Sequence, residues 1–373
     1  MADWARVVNT TIKEYVRTEE INVLRNRKTT ALMRAKGRIT FNHSGDGTDW
    51  KVQYKRAPLA GYADTDTLTF SRINRWLSAQ LDWRGYAIPD SQTKMEKLKN
   101  KGTEAIIKIY DGVARRLMAD IEDQFSDEFY IDGNAAGNSK RIHGIESFFS
   151  NASGTTPLVG QPIKQPNNSY ANLLTNLANY GGAWTTIAGN SQWPVGTGDA
   201  HYDFWSPLMV DYTNANAIST AAGTNGWSAT TKTWPNTCIE ALRYGIIHSR
   251  KNKTAKGMLD FIMLNDEMFR QFEMAQDPKE RIMVDSKEGL KAFGFEDIIR
   301  INGCDVTYEY GTPVATGYGW NIDQMELRSL QPQLFVPEGP DYDIASKSWR
   351  FSVDMFGNMI FNPRYFLKLF NYS

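Results

Sequence analysis

Residues 91–131 read SQTKMEKLKNKGTEAIIKIYDGVARRLMADIEDQFSDEFYI, and their apolar side chains recur every three or four positions. The apolar positions are Met95, Leu98, Ala105, Ile106, Ile109, Val113, Leu117, Ile121, Phe125 and Phe129. This spacing places all of them on one face of an α-helix. It predicts a single amphipathic helix roughly 60 Å long, well beyond the average globular helix.

The flanking residues predict where this helix begins and ends. Ser91 offers a hydroxyl at the predicted N-cap, and the Asp90 carboxylate lies beside the positive end of the helix dipole. Residues 132–134, Asp-Gly-Asn, form a predicted stop. Gly102 and Gly112 each cost about 1 kcal/mol relative to alanine, so they indicate a bend or a close approach by another backbone.

The composition is that of a soluble globular chain of about two to three domains. Of 373 residues, 42 are basic and 42 acidic, so the chain carries no global electrostatic footprint for nucleic acid or for an acidic substrate. Cys238 and Cys304 stand in apolar surroundings, which predicts buried thiols in a reducing compartment. Neither a membrane-spanning run nor a signal-peptide core is present, so we expect the mature chain to begin near Met1.

The segment before the long helix predicts an extended hairpin. Residues 50–54 and 77–83 alternate with period two, residues 57–66 form a turn-rich tip, and Gly85 and Pro89 close the segment. An isolated hairpin is marginal in water, so a partner surface is implied. The N-terminal residues add a short amphipathic helix followed by a basic segment, which is either an arm lying on a neighbour or a solvated charged face.

Downstream of the long helix, the sequence predicts a loop-rich excursion and then an α/β lobe. Residues 141–149 are strand-like, and residues 150–234 are rich in Gly, Asn, Thr, Pro and Trp, with one helix expected at 202–217. The second lobe comprises a helix at 235–251, a strand at 258–264, a helix capped by Asn265 and a strand at 305–310. A turn at 311–319 follows, and residues 349–361 predict a terminal hairpin turning at Phe356-Gly357-Asn358.

The chemistry-bearing residues form no catalytic constellation. His43, His143, His201 and His248 lack metal-ligand spacing, and the His201-x-Asp203 pair is more typical of a surface loop than of a metal site. Gly317-Tyr318-Gly319 is only a fragment of a nucleotide-binding loop. The acidic run at 120–128 is the pattern of a solvated or subunit-facing helix side. We therefore predict no enzyme activity, no metal and no cofactor.

The order of elements resembles the major capsid proteins of tailed bacteriophages, which have the Hong Kong 97-type fold. The resemblance lies in the hairpin at 48–89 feeding the helix at 91–131, the join FIMLNDEMFRQFE, the exit ATGYGWNIDQMELRSL and the closing GNMIFNPRYFLKLF. It implies an α+β chain whose parts are an N-terminal arm (1–47), an extended loop (48–90), a peripheral domain (91–234), an axial domain (235–328) and a return to the peripheral domain (329–373). The peripheral domain would hold the spine helix (91–131) and the loop-rich insertion (150–234).

The resemblance also implies the partners. Such chains form hexamers and pentamers that assemble in the host cytoplasm into an icosahedral virion shell around double-stranded DNA. Scaffold, portal and decoration proteins are the other expected partners, and a membrane is not. Some members carry a long N-terminal scaffolding segment, so we expect either a separate scaffold protein here or a mature chain.

Individual contact residues follow from charge and aromaticity. Basic residues expected to face packaged DNA through non-specific contacts are Arg25, Arg27, Lys28, Arg115 and Arg116. Aromatic residues expected at contacts between subunits are Trp4, Trp50, Tyr54 and Tyr62.

Two other functions remain open on the sequence alone. An encapsulin-like cargo shell would have the same fold. A carbohydrate-binding or carbohydrate-active protein is suggested by the eleven tryptophans and the Gly/Asn/Thr-rich loops, although no pair of carboxylates accompanies them at a defined spacing.

Overall fold

The computed structural model describes residues 28–53, 61–67, 70–72, 75–95, 120, 124–125, 127–149, 163–164, 166, 168–175, 205–213, 219–220, 223–224, 227, 231–250, 259–276 and 298–371. The chain divides into two compact units. The first unit comprises residues 1–47, 82–145 and 325–361, and the second comprises residues 48–81, 146–324 and 362–373.

Three helices and eighteen strands lie in the described parts of the chain. They are β1 (Ile39–Thr40), β2 (Gly47–Gln53), β3 (Trp76–Asp82), β4 (Arg84–Thr93), β5 (Ile163–Lys164), β6 (Ser169–Tyr170), β7 (Leu173–Leu174), β8 (Leu208–Asp211), β9 (Ser219–Thr220), β10 (Gly223–Thr224), β11 (Phe261–Leu264), β12 (Ile299–Ile301), β13 (Cys304–Tyr308), β14 (Gly317–Trp320), β15 (Met325–Ser329), β16 (Val336–Asp343), β17 (Ser348–Phe361) and β18 (Phe366–Phe370), with α1 (Lys28–Ala35), α2 (Trp234–Ser249) and α3 (Asp266–Gln276).

The first unit is built around β17, the longest described strand. β4 pairs antiparallel with β17 from Ser348 to Gly357, so it covers one edge of that strand. β16 and β15 pair antiparallel with the other edge, and β1 adds a parallel pairing to β15. The unit is therefore a five-stranded sheet in which β17 is central.

The spine helix does not begin at Ser91, as the sequence predicted, because strand β4 extends past that residue. Ser91 lies in β4 opposite Arg350 and is not a helix N-cap; the strand runs on to Thr93. Proline usually ends a strand, but it is tolerated in β4, whose second edge pairs with no strand among the described residues. Helical backbone is present at 94–95, 120, 124–125 and 127–128, while residues 96–119 of the predicted helix lie outside the described residues.

The Phe356-Gly357-Asn358 segment is also not the predicted turn. β17 runs straight through it, with Gly357 paired to both Arg84 and Ser329. A Cβ at Gly357 would collide with the carbonyl oxygen of Arg328, so a close backbone approach, and not a change of chain direction, requires glycine here.

Asn358 joins β17 to the loop that follows the helical residues 127–128. Its side-chain oxygen accepts a hydrogen bond from the backbone N–H of His143 at 3.0 Å, and its side-chain nitrogen donates to the carbonyl of Asp82 at 2.8 Å. Asn358 and His143 are both buried, so the two bonds replace water that these polar groups have lost. An amide at this position therefore fixes the loop to the sheet.

The same loop is held by Arg84 and Tyr86 of β4. Arg84 Nη1 donates to the carbonyl oxygens of Gly133 (3.0 Å), Asn138 (3.1 Å) and Arg141. The Tyr86 hydroxyl contacts the carboxylate of Glu128 and accepts from the backbone N–H of Ile142 at 2.7 Å. Burial, with the hydrogen bond to the Glu128 carboxylate, raises the pKa of Tyr86, so its hydroxyl stays protonated.

Glu128 is buried and is balanced by Arg141, which forms an ion pair with it. A buried carboxylate without such partners would destabilise the fold by several kcal/mol. Residues 141–149 are thus not the predicted short strand: they pass through this polar junction into a 3₁₀ turn at Ile145–Ser147.

The second unit contains a seven-stranded mixed sheet in the order β12-β13-β11-β14-β18-β8-β5. β11 is parallel to β13, and β18 is parallel to β8, while the other pairings are antiparallel. The strands β8 and β11 are buried at every position, as expected for strands covered on both faces.

Helices α2 and α3 cover one face of this sheet. Leu242 and Ile246 of α2 and Phe272 of α3 belong to a continuous core with Val306 and Leu369 of the strands. Aromatic side chains fill a second cluster in the same unit, with ring centroids of neighbours 4.8–6.2 Å apart; its members are Phe148, Phe149, Tyr170, Trp205, Tyr318 and Phe366. The unit therefore has its own hydrophobic core.

Gly317-Tyr318-Gly319 lies in the central strand β14 and not in the predicted turn. Added side-chain carbons at Gly317 and Gly319 would meet Leu264, Ile262 and Leu367 at 2.5–3.3 Å. The glycines thus make room for neighbouring leucine and isoleucine side chains within the sheet, and the segment does not form a phosphate-binding loop.

Other predictions for this unit have mixed outcomes. The helix expected at 202–217 is wrong, since residues 208–211 form β8. The helix at 235–251, the strand at 258–264, the strand at 305–310 and the Asn265 cap are confirmed as α2, β11, β13 and the start of α3. Asn265 Oδ1 accepts from the N–H of Glu267 at 3.2 Å. Cys238 and Cys304 are free and buried, as predicted.

The stability of a Gly357 variant tests whether glycine is needed here for a close approach of two backbones. We expect Gly357→Ala to destabilise the protein by at least about 2 kcal/mol because the backbone at Arg328 cannot yield to the new methyl group. Gly61→Ala is the matched control, since nothing lies within 4 Å of its position. Urea denaturation followed by tryptophan fluorescence measures both variants, and equal stability of the two would contradict the close approach.

Acid sensitivity of the first unit should depend on His143. Burial, with a smaller effect of the Arg84 charge, lowers the pKa of His143 to about 3. Between pH 6.5 and 3 the unfolded chain therefore binds a proton that the folded chain does not, so the stability present above pH 6.5 falls as the pH falls. The loss would reach about 4 kcal/mol near pH 3.

His143→Gln removes this titration while keeping a polar side chain. Urea denaturation at pH 7, 5.5 and 4.5 should show the wild-type protein losing stability more steeply than the variant. Parallel stability profiles would show that His143 is not buried in its neutral form.

Candidate subunit-contact surfaces

The first candidate surface is the limb, which we define as residues 48–81 of the second unit. Its two strands, β2 and β3, pair only with each other among the described residues. Thr48, Val52, Ala79 and Leu81 are buried at its base. The Gln80 N–H donates to the carbonyl of Ala171 at 3.1 Å, which ties the base of the limb to the rest of its own unit.

Away from its base the limb exposes large apolar side chains. Phe70 is 91% exposed, Tyr62 59% and Trp76 54%. Single exposed apolar residues are common, but three within fifteen positions of one thin element are typical of a contact surface. Residues 61–67 form an exposed turn, in which the Ala63 N–H donates to the Asp66 carboxylate at 2.9 Å.

The predicted subunit-contact residues occupy different environments. Tyr62 lies on the exposed part of the limb. Trp50 is half-buried at its base, with its ring centroid 6.2 Å from that of Tyr170, so part of its surface is used within its own chain. Trp4 and Tyr54 lie outside the described residues.

Of the predicted DNA-facing residues, Lys28 alone lies in the described parts of the chain, so their common placement stays a prediction. Lys28 begins α1, whose residues Leu32 and Met33 are buried in the first unit. Arg25, Arg27, Arg115 and Arg116 lie outside the described residues.

The second candidate surface is a groove on the sheet of the first unit, with a volume of about 640 Å³. Two rows of paired residues cross β4, β17 and β16 there: Pro89, Ser352 and Glu338 form one, and Ser91, Arg350 and Asp341 form the other. Since directly paired residues project to the same face, all six side chains line one side of the sheet. Gly339, Asp90 and Phe351 also border the groove, although Asp90 and Phe351 pair with each other between the two rows and their side chains project to the opposite face of the sheet.

A β-bulge shapes one wall of this groove. The register of β16 against β17 shifts between Glu338 and Asp341. Gly339 within the bulge has φ of +98°, and a side chain there would collide with the backbone of Arg350 and Phe351. The bulge therefore requires glycine and displaces the wall of the groove from the flat sheet.

The groove carries more negative than positive charge. Arg350 is its one cation and forms an ion pair with Asp343 at 2.5 Å, outside the groove lining. Hydrogen bonds from Ser346 and from the Ala345 N–H, together with the Arg350 charge, lower the pKa of Asp343. Within the described residues, neither Glu338 nor Asp341 forms an ion pair or a side-chain hydrogen bond. This surface could not be predicted from the sequence, because only the strand register brings its carboxylates together.

The second unit contains an ion pair that is largely covered from solvent. Lys368 Nζ lies 2.6 Å from Glu146, and the Tyr318 hydroxyl contacts the same carboxylate. The ammonium also lies 5.9 Å from the ring centroids of Phe149 and Phe370, a distance compatible with cation–π attraction. The arrangement holds Glu146 against β14 and β18.

No metal site or membrane span is found among the described residues. No group of three or more His, Cys, Asp or Glu side chains there could hold a metal ion, and His201 and Asp203 lie outside them. No described helix combines the length and the apolar character needed to cross a membrane.

The tryptophans do not form a binding platform in the described parts of the chain. Trp205, Trp227, Trp234 and Trp320 are buried, and only Trp76 among the other described tryptophans is exposed beyond half of its surface. Stacking on a sugar requires an accessible ring face. The described structure thus offers little to favour the carbohydrate-binding interpretation.

The fold was compared with known proteins. No family model and no curated protein matches the sequence. Among solved structures, the cyanophage A-1(L) capsid is similar with a TM-score of 0.54 at 12% identity, covering 91% of this chain and 92% of that chain. The capsid of a native GTA particle (TM-score 0.49, 11% identity, 91% and 89% covered) and that of Myoviridae phage XM1 (TM-score 0.45, 11% identity, 91% and 92% covered) are also similar.

At these identities the similarity establishes the fold alone, and of the three structures named here the cyanophage capsid, with a TM-score above 0.5, supports it. Its similarity extends over nearly all of both chains, so it includes both units and not one common motif. The chain has the Hong Kong 97-type fold of bacteriophage capsid proteins.

Proposed function

We propose that this chain is the major capsid protein of a tailed bacteriophage and has no enzymatic activity. Copies would form hexamers and pentamers, and these would assemble in the host cytoplasm into an icosahedral shell around double-stranded DNA. The observation that carries the proposal is the capsid fold over 91% of the chain.

The exposed limb supports the proposal on physical grounds. A two-stranded ribbon is barely stable by itself, and this one leaves Phe70, Tyr62 and Trp76 in water. Burying such side chains on a neighbour contributes about 1.5–3 kcal/mol each. In a closed shell every copy makes the same contact, so modest contacts add up around the assembly.

The proposal also includes packaged DNA and further proteins as partners. The near-zero net charge of the chain permits dense packing of many copies, and DNA inside a shell needs only weak, sequence-independent contacts with basic residues. Arg25, Arg27, Lys28, Arg115 and Arg116 are the proposed residues for these contacts. Scaffold, portal and decoration proteins are the remaining proposed partners.

The exposed ring of Phe70 provides a direct test. We expect Phe70→Ser to leave the fold unchanged because the side chain is 91% exposed. Loss of one buried phenyl group per contact should weaken each contact by about 2 kcal/mol, or about 30-fold. Negative-stain electron microscopy and size-exclusion chromatography should therefore show few closed particles at concentrations where the wild-type protein assembles.

Phe70→Leu is the matched control, since it keeps an apolar side chain and should retain assembly. Thermal unfolding of the unassembled proteins should give the same midpoint for all three. A wild-type protein that stays monomeric under every assembly condition would contradict the capsid proposal. Phe70→Ser particles equal in yield to wild type would contradict the role of Phe70 at the contact between copies.

A further inference from the structure

The sheet face that carries the groove also holds one buried carboxylate, that of Asp354. The side chain is only 7% exposed, and its Oδ1 atom has no hydrogen-bond partner among the described residues. Buried polar groups are normally hydrogen-bonded, and a buried anion without a counter-charge destabilises a fold. The environment of Asp354 therefore requires a ligand for this oxygen.

The strand register shows which side chains surround this carboxylate. Asp354 is paired with Ala87 of β4 and with Val336 of β16. Ser352 and Phe356 lie two residues away along β17, so they project to the same face. None of these four neighbours carries a charge, and only Ser352 has a polar side chain.

The one arginine of β17 does not supply the missing charge. Arg350 is four residues from Asp354, about 13 Å along the strand, and it forms an ion pair with Asp343. The counter-charge for Asp354 is therefore not provided by its own strand.

A second carboxylate, that of Glu338, lies diagonally across from Asp354. Glu338 is paired with Ser352 and stands two residues beyond the partner of Asp354, so the two acidic residues share one face about 7–8 Å apart. Glu338 is exposed and forms no ion pair or side-chain hydrogen bond within the described residues. Two carboxylates and one hydroxyl make an all-oxygen set, which is the set that Mg²⁺ and Ca²⁺ prefer.

We propose that Asp354 and Glu338 bind one divalent cation, Mg²⁺ or Ca²⁺, between β17 and β16. Ser352 supplies a third oxygen. No cluster of three or more His, Cys, Asp or Glu side chains is present in the described parts of the chain, so water supplies the remaining ligands, as is usual for Mg²⁺. The inference goes beyond the proposed function and does not depend on assembly.

The cation has a structural role at the β-bulge. The register of β16 against β17 shifts between Glu338 and Asp341, so the ladder of hydrogen bonds is disrupted directly after Glu338. A cation that joins Glu338 to Asp354 links the two strands beside this disruption. It also reduces the repulsion among the carboxylates on this face.

Thermal unfolding of the unassembled chain, freed of metal with EDTA, tests the inference. Magnesium or calcium chloride should raise the wild-type midpoint by about 2–4 °C at a tenfold excess over the dissociation constant, and sodium chloride of equal ionic strength should not. Isothermal titration calorimetry should show one ion bound per chain.

Asp354→Asn should abolish this rise. Glu338→Gln should weaken binding by about tenfold or more, because cation affinity depends on the number of charged ligands. Asp46→Asn is the matched control: it removes the same charge from an exposed residue of the same unit that lies outside β4, β16 and β17, so it should keep the wild-type rise.

Each variant is compared with itself with and without the cation, so a change in its intrinsic stability does not affect the result. If Asp354→Asn does not fold, the exposed Glu338 position decides the test. No cation-dependent rise in the wild-type protein, or a rise in Glu338→Gln at the same concentrations as in wild type, would overturn the inference. Neither result bears on the proposed function, which is instead removed by a wild-type chain that never assembles.

Discussion

The structure of the first unit depends on β17 remaining extended through Gly357 and Asn358. At Gly357 the strand meets β4 on one edge and β15 on the other, and the close approach of the Arg328 carbonyl leaves no space for a side chain. One residue later, the Asn358 amide bonds to the loop that follows the helical residues 127–128. Gly357 thus holds the sheet together, and the next residue, Asn358, attaches the loop to it.

Polar side chains around this loop attach it to strand β4. Arg84 donates to carbonyl oxygens of this loop, and Tyr86 and Arg141 bond to the buried carboxylate of Glu128. Such a network is stable only when every member is present, because each removed partner leaves a buried polar group exposed to an apolar surrounding. The junction therefore positions the strand β4, from which one wall of the groove is built.

The sequence predicted the elements whose periodicity is local and failed where tertiary contacts decide. Helix α2, helix α3 with its Asn265 cap and strands β11 and β13 follow from apolar spacing and capping chemistry. Pro89, Gly317 and Gly357 have the residue types of breaks, yet each lies in a strand, and at Gly357 the backbone of Arg328, which is distant in sequence, requires glycine. Short buried runs such as 208–211 have no period that separates strand from helix.

Of the two candidate surfaces, one follows from local sequence pattern and the other from tertiary contacts. Exposed aromatic residues of the limb could be anticipated from an alternating, thin segment with turn residues, whereas the groove arises from register across three strands and from a bulge.

The ion pair of Lys368 and Glu146 has a further consequence for how related chains diverge. Both side chains are more than four-fifths covered, so replacing either residue alone would leave the other charge unpaired among aromatic rings. Replacing both with apolar residues would leave no unpaired charge. Evolutionary drift at these two positions should therefore be coupled, with both residues kept or both exchanged.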